Sequence, residues 1–492
     1  MANPQRGRVV RLTSRGRGSR SAGNPPTGKF VRGAKLAALP VAYAGRRVAG
    51  TGKRVLGRTR EEIDLEIQLR TAQHMFEVLG ELKGCAQKLG QLLAIYEMAL
   101  PPELAEPYRV ALSRLQHSGP AMLAPLVHRA MAASMGDDWM RNFRTFDDRR
   151  PAAASVGQVH RATWRDGTPV AVKLMYPGAR EAVLNDLAQL RRASAPLKVL
   201  AAGTDVGLVV DAVSECVRDE LDYRREAENQ RAFARAYADD ADFVVPGVIH
   251  QQGDVLVSEW IDGVPVSRLV TSDSEVERNR IGRLMVRFVM TSFGRTGLLY
   301  GDPHPGNFLS LADGRLGVVD FGACPAFPPP GFLEMEAEFL EVGLNGGARE
   351  LEDTMRRHGL VAEGCDFDAQ PIVDAIEPLR EMWISPDVRL SMSWLREQAF
   401  RVADVRLVNA ARQLTAPTEL AALGRTVGTL FGVLCQLEVG APVREEFISR
   451  KPQLAEAIER FTRCNRQADQ RPGGVIDIRR VNGRGSRRSS ET

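Results

Sequence analysis

Two β-rich runs, "SVGQVHRATW" and "TPVAVKLM", meet across "RDGT" between residues 155 and 175. Asp166-Gly167 between such runs is a strong hairpin signal. A lone two-stranded hairpin does not survive in water, so this one needs more strands or a covering helix. The flanks supply helical texture. Leu65, Leu69, Phe76, Leu79, Leu82, Leu89 and Leu93 recur with helical periodicity, and a second helix starts after Pro101-Pro102. Beyond the hairpin, helical texture runs through "DAVSECVRDELDYRREAENQRAFARAYA", a β-like run follows at "VLVSEWIDGVPV", and helices dominate from about 275. One strand pair, around "NFLSLADGRLGVVDFG", interrupts them. The pattern predicts a helical region over 61–145, a β-rich unit over 146–265 and a helical unit over 266–450, followed by a helix end and a basic tail over 451–492.

Composition narrows the classes. At 492 residues with 44% hydrophobic and 26% charged side chains, the chain can build a sizeable core and two or three domains. Its six cysteines form no Cys-x-x-Cys pair, which argues against a zinc site and a disulfide scaffold and fits a reducing cytosol. The net charge of +5 conceals an acidic body, because residues 1–60 hold fifteen Lys or Arg and no acid. That Arg-, Gly-, Ser- and Pro-rich start is expected to be a disordered basic tail with no secretory signal. Its charge would attract an anionic membrane surface, while the lack of interleaved aromatics argues against specific nucleic-acid readout. No run reaches the ~20 apolar residues of a spanning helix. The nearest, residues 420–440, carries Arg425 and several glycines and reads as a buried helix. The expected location is therefore cytoplasmic, with peripheral contact to a membrane and no transmembrane segment.

The chemistry lies in a chain-ordered set. Lys173 ends the strand run "VAVK". Asp302 and Asn307 stand five apart in "GDPHPGN", where Pro303, Pro305 and Gly306 force a rigid loop. Thirteen residues beyond Asn307, an apolar strand ends in Asp320-Phe321-Gly322. Phosphoryl transfer asks for these parts: a lysine on the phosphates, an acid near the acceptor, and oxygen donors for Mg²⁺. Their order predicts Lys173 as the phosphate lysine, Asp302 as the catalytic acid, and Asn307 with Asp320 as metal ligands. His304, inside the loop, is expected to brace it rather than act as a base.

These motifs, with "KLGQ" at 88–91, "AAASVGQV" at 152–159 and "ELD" at 220–222, resemble the UbiB/AarF/ADCK family of atypical protein-kinase-like proteins over roughly residues 61–450. The resemblance implies an α+β, two-lobed protein-kinase-like fold, a small β-rich lobe and a larger helical lobe, with an N-terminal helical extension. It implies ATP and Mg²⁺ as cofactors and Glu226 as the helix partner of Lys173. Ala152, Ala154, Ser155, Gly157 and Val159 would form an alanine-substituted phosphate loop, and Glu259 would lie in the hinge against the adenine. Lys88 and Gln91 would fold over the pocket, with Glu220 and Asp222 as their acidic partners. On one continuous helix Glu220 and Glu226 stand about 240° apart, so both cannot face Lys173; Glu226 is favoured by motif position, and the choice stays open.

The implied function is an Mg²⁺-dependent ATPase or atypical kinase supporting isoprenoid quinone biosynthesis or lipid homeostasis at a membrane surface. Lipidic quinone precursors and quinone-biosynthesis proteins are the implied partners. A small-molecule phosphotransferase and a non-catalytic nucleotide-dependent scaffold are the alternatives. "ACPAFPPPGF", directly after Asp320-Phe321-Gly322, departs from kinases with a phosphorylated activation segment.

Overall fold

The computed structural model describes residues 121–154, 156–185, 187–188, 218, 221–270, 272–361, 364–385, 388–402, 407, 410, 413–415 and 418–469. The predicted N-terminal tail, residues 470–492 of the C-terminal one, the extension up to residue 120 and the long helix over 61–93 lie outside the described residues.

The "RDGT" hairpin is the centre of a six-stranded antiparallel sheet. Strand β1 is Phe143–Phe146, β2 Ala152–Ala154, β3 Gly157–Trp164 and β4 Pro169–Met175. After two-residue β5 (Phe243–Val244) come β6 (Val248–Gln252) and β7 (Val255–Glu259). The order is β1-β3-β4-β7-β6, with β2 hanging on β3. At the hairpin tip Gly167 takes φ 103° and Asp166 accepts the Thr168 N–H at 2.8 Å, so the residue types match the turn. Directly opposed residues share a face, which puts Val159, Lys173 and Leu256 on one side and Val172, Leu174, Val255 and Val257 on the other. Helix α1 (Ala124–Met135) covers the second face. Its Val127 and Met131, one turn apart and wholly buried, pack into the cluster with Val170, Val172 and Leu174. Each such side chain contributes about 1.5–3 kcal/mol by leaving water.

A polar chain crosses this apolar face. The Met122 N–H donates to Gln158 Oε1 at 2.9 Å, Gln158 Nε2 meets His160 Nε2 at 2.7 Å, and His160 Nδ1 meets the Asp147 carbonyl at 2.7 Å. Both ends set the direction. A carbonyl only accepts and an amide N–H only donates, so His160 is the neutral Nδ1–H tautomer and accepts from Gln158.

The larger lobe is built on α4 (Glu275–Thr296), reached through α2 (Tyr223–Ala236) and the short α3 (Val266–Leu269). Ser274 caps α4, accepting the Glu277 N–H, and Gly297 closes it at φ 71°. Ile281, Met285 and Phe288 form its buried stripe, and the Phe288 ring lies 5.1 Å from those of Phe243 and Tyr300. A second sheet joins β5, β8 (Val264–Pro265), β9 (Phe308–Ser310) and β10 (Leu316–Val318) in the order β5-β10-β9-β8. The β9–β10 hairpin begins right after Asn307 and ends two residues before Asp320. Helices α5 (Phe332–Asn345), α6 (Ala348–Arg357), α7 (Gln370–Ile384), α8 (Met392–Val402), α9 (Thr418–Gln436), α10 (Ala441–Arg450) and α11 (Pro452–Asp469) complete the lobe. The arrangement is the two-lobed kinase-like fold expected.

Four details differ from the sequence reading. The large sheet starts at Phe143, inside the span assigned to the helical extension, because Phe143 and Phe146 pair with Trp164 and Ala162. The large lobe does not stop at 450; α11 buries Leu454 and Ala457 against Leu344. The interrupted run at 420–440 is indeed a buried helix, with Leu430, Val433 and Leu434 in the core, and no helix among the described residues is long and apolar enough to cross a membrane. The helix expected to run unbroken past residue 220 restarts at Tyr223. Asp222 is its N-cap, accepting the Arg224 and Arg225 N–H groups at 3.1 Å, so the 240° argument loses its premise.

Candidate functional site

The two sheets and α2 bring four distant segments together. Lys173 projects from β4 with Nζ 2.6 Å from Glu226 Oε1 and 3.2 Å from Asp320 Oδ2. Its ammonium also lies 5.2 Å from the Tyr223 ring. Burial opposes the charge of Lys173, yet the Asp320 and Glu226 carboxylates outweigh that and hold the ammonium well above the usual lysine range. Glu226 is 1% exposed and sits in the first turn of α2, one turn past the Asp222 cap that aims it.

The Asp302 loop is held on both sides. The Gly301 N–H donates to the Ala323 carbonyl at 2.8 Å, and a Cβ at Gly301 would lie 2.5 Å from that oxygen. His304 Nδ1 accepts the Gly306 N–H at 3.1 Å across the turn Pro305–Asn307. Asn307 Nδ2 donates to the Asp302 carbonyl at 3.2 Å and to its Oδ2 at 3.1 Å. With its nitrogen engaged there, Asn307 turns its amide oxygen elsewhere. The Val319 N–H donates to the Asn307 carbonyl at 3.1 Å, tying this loop to the strand that delivers Asp320. Tyr300 is 1% exposed, and among the described residues its hydroxyl meets no hydrogen-bond partner. Burial, then the charges of Asp320 and Asp302, push its phenol well above the usual tyrosine range, so it stays protonated.

The alanine turn stands at the edge of the Lys173 face. Ala152 pairs with Val159 and Ala154 with Gly157, and Val159 faces Lys173 across the ladder. Gly157 is obligatory for close approach: a Cβ there would lie 2.2 Å from the Leu174 carbonyl oxygen. Glu259 ends β7 and is exposed; its carboxylate accepts the Gly247 N–H at 2.8 Å and does not join the Lys173 cluster. Asp222 is likewise exposed and spent on the helix cap. Ser155, Lys88, Gln91 and Glu220 lie outside the described residues.

Residues 114–339 match the ABC1 atypical kinase-like domain. A solved Mycobacterium tuberculosis protein, Rv3197 in complex with erythromycin, is 38% identical; the match covers 81% of this chain and all of that one, with a TM-score of 0.57. The chain belongs to the UbiB family of atypical kinase-like proteins. Its curated relatives include the mitochondrial atypical kinase coq-8 of Caenorhabditis elegans, 30% identical over 64% of this chain and 42% of the relative. The mitochondrial atypical kinase COQ8 of Saccharomyces cerevisiae is 31% identical over 50% and 49% respectively. This UbiB chain thus spans about half the length of such relatives or less.

The departure after Gly322 has a structural form in this UbiB protein. The Leu299 and Gly301 N–H groups donate to the Pro325 and Ala323 carbonyls, and the Phe327 N–H to the Gly297 carbonyl, at 2.8–2.9 Å. Residues 323–327 are zipped onto 297–301, and α5 begins at Phe332. No length of chain is left for a long activation segment here. Sequence reading also missed the polar residues Asn229 and Gln230, which follow Glu226 at three and four residues and are buried with it. Their signal was present: a helix whose inward face reads Glu, Asn, Gln must find hydrogen-bond partners inside.

Proposed function

We propose that this chain is an ATP-binding atypical kinase or ATPase that works with Mg²⁺ and serves isoprenoid quinone biosynthesis or lipid homeostasis at a membrane surface. The observation that carries the proposal is the meeting of Lys173, Glu226 and Asp320 within 3.2 Å, beside the Asp302–Asn307 loop. Lys173, oriented by Glu226, would hold the phosphates beneath the turn at Ala154 and Gly157. The Asp302 carboxylate, fixed by the Asn307 amide, would orient the acceptor hydroxyl or water. Asn307 and Asp320 would hold the cation through oxygen, the donor a hard ion prefers. Among the described residues no three His, Cys, Asp or Glu side chains gather into a self-sufficient metal site, which fits an ion completed by phosphates and water. When bound, Mg²⁺ would neutralise charge on the phosphates.

The resemblance supplies the quinone setting, and the basic first sixty residues favour an anionic membrane surface. The erythromycin complex of the relative favours a second reading, a small-molecule phosphotransferase. Both are tested by measuring Mg²⁺-ATP hydrolysis with and without anionic liposomes, and with erythromycin added, beside Asp320→Asn. Liposome-stimulated hydrolysis lost in Asp320→Asn is the expected result. Equal phosphate release by both proteins refutes catalysis; phosphate transfer to erythromycin installs the second reading in its place.

A further inference from the structure

Glu226, Asn229 and Gln230 occupy one face of α2 and are 1%, 7% and 1% exposed. Each reaches a different element. Glu226 takes Lys173 on β4. Gln230 Nε2 donates to the Pro246 carbonyl at 2.8 Å and to Ser258 Oγ at 3.0 Å, docking the helix on β7. Asn229 Nδ2 donates to the Phe321 carbonyl at 3.0 Å.

That carbonyl belongs to the peptide joining Phe321 to Gly322, whose N–H donates to Asp320 Oδ1 at 3.1 Å. A peptide group is planar, with C=O and N–H pointing opposite ways. Fixing its oxygen therefore aims its hydrogen. Asn229 holds one end of the plane, the other end holds Asp320 Oδ1, and Oδ2 is left facing Lys173 at 3.2 Å. Phe321 itself is fully buried, its ring 5.0 Å from that of Phe233 on the same helix, so the plane has a rigid pivot.

We propose that Asn229 is a positioning residue for Asp320, orienting its carboxylate through the Phe321–Gly322 peptide. The cation-binding part of the test rests on Asp320 being a metal ligand; the peptide geometry does not.

Two variants separate positioning from mere helix docking. Asn229→Leu removes the donor to Phe321, while Gln230→Leu removes a neighbouring buried amide that bonds elsewhere. Fluorescent ADP binding is titrated against Mg²⁺, and hydrogen exchange at Gly322 is followed without nucleotide. Asn229→Leu is expected to raise the Mg²⁺ concentration for half-maximal binding about tenfold, the upper scale of one buried neutral hydrogen bond. Metal-free nucleotide affinity should hold within about twofold, and Gly322 should exchange faster than in Gln230→Leu. Equal shifts in the two variants, or none in Asn229→Leu, overturn the proposal. Should the leucine variant fail to fold, Asn229→Ala, which removes the amide donor without adding a charge, is judged by the same criteria. A parent protein that binds no Mg²⁺-nucleotide refutes the nucleotide reading, and the exchange comparison then decides the Asn229 link by itself.

Discussion

Removing Lys173 should destabilise the protein more than removing its closest partner. Glu226 is 1% exposed and 2.6 Å from Nζ, and Asp320 approaches from the other side at 3.2 Å. At an effective dielectric near 20, a unit pair at such a distance attracts by about 6 kcal/mol before desolvation is subtracted. Breaking a buried pair by deleting one member costs about 3–5 kcal/mol, because the other charge stays buried. Glu226→Gln leaves Lys173 still paired with Asp320, which places its cost at the low end, about 3 kcal/mol. Lys173→Met takes from both carboxylates the ammonium that each contacts, which places its cost at the high end, about 5 kcal/mol or more. The double variant should lose about 2 kcal/mol less than the sum of the singles, as groups in direct contact do. Urea unfolding followed by far-UV circular dichroism, with a common m-value, measures all three. A Lys173→Met loss no larger than that of Glu226→Gln, or strict additivity, would refute the picture of one ammonium balancing two carboxylates.

Gly157→Ala should cost about 1–3 kcal/mol of stability in urea unfolding and weaken nucleotide binding, because its methyl meets the Leu174 carbonyl at 2.2 Å and must part β3 from β4. Parental stability in that variant would count against the close approach. Ala154→Gly should change nucleotide affinity or selectivity with the melting temperature nearly constant, as a less restricted turn opposite Gly157 permits; an unchanged binding profile would remove this turn from the site. Burial lowers the affinity of His160 for a proton, against the Asp147 carbonyl and the charges of Asp147 and Asp148. With the folded value depressed below about 6.5, the unfolded chain takes up the proton first as pH falls, so this contribution is present above that pH and lost below it. The stability difference between parent and His160→Gln should therefore shrink between pH 8 and pH 5.5, and a constant difference in urea midpoints would contradict it.

Local signals carried much of the fold. Asp166-Gly167 marked the hairpin because a turn needing φ 103° restricts its residue types, and the prolines around His304 marked a rigid loop because they forbid helix. Strand β5 was illegible: two residues long, it exists only through its partner strand, with Leu316 opposite Phe243, far along the chain. The break before Tyr223 did have a local signal, an Asp ahead of a helix. It was outvoted by helical texture on both sides, although one bonded cap redirects everything after it.

The candidate site divides along the same line. The order Lys173, Asp302, Asn307, Asp320 was readable because it records residue types at spacings set by rigid loops and short strands. The aim of each side chain was not, because aim comes from groups remote in sequence. Lys173 takes its direction from Glu226, 53 residues away, and the Phe321 carbonyl takes its own from Asn229, 92 residues away. Glu259 makes the converse case. Its position at the end of β7 was legible, but a carboxylate can bond whatever donor stands nearest, and here that donor is the Gly247 N–H. A motif therefore locates a functional side chain to within its segment, and its aim is left to partners such as Asn229, which holds the peptide that Asp320 accepts from.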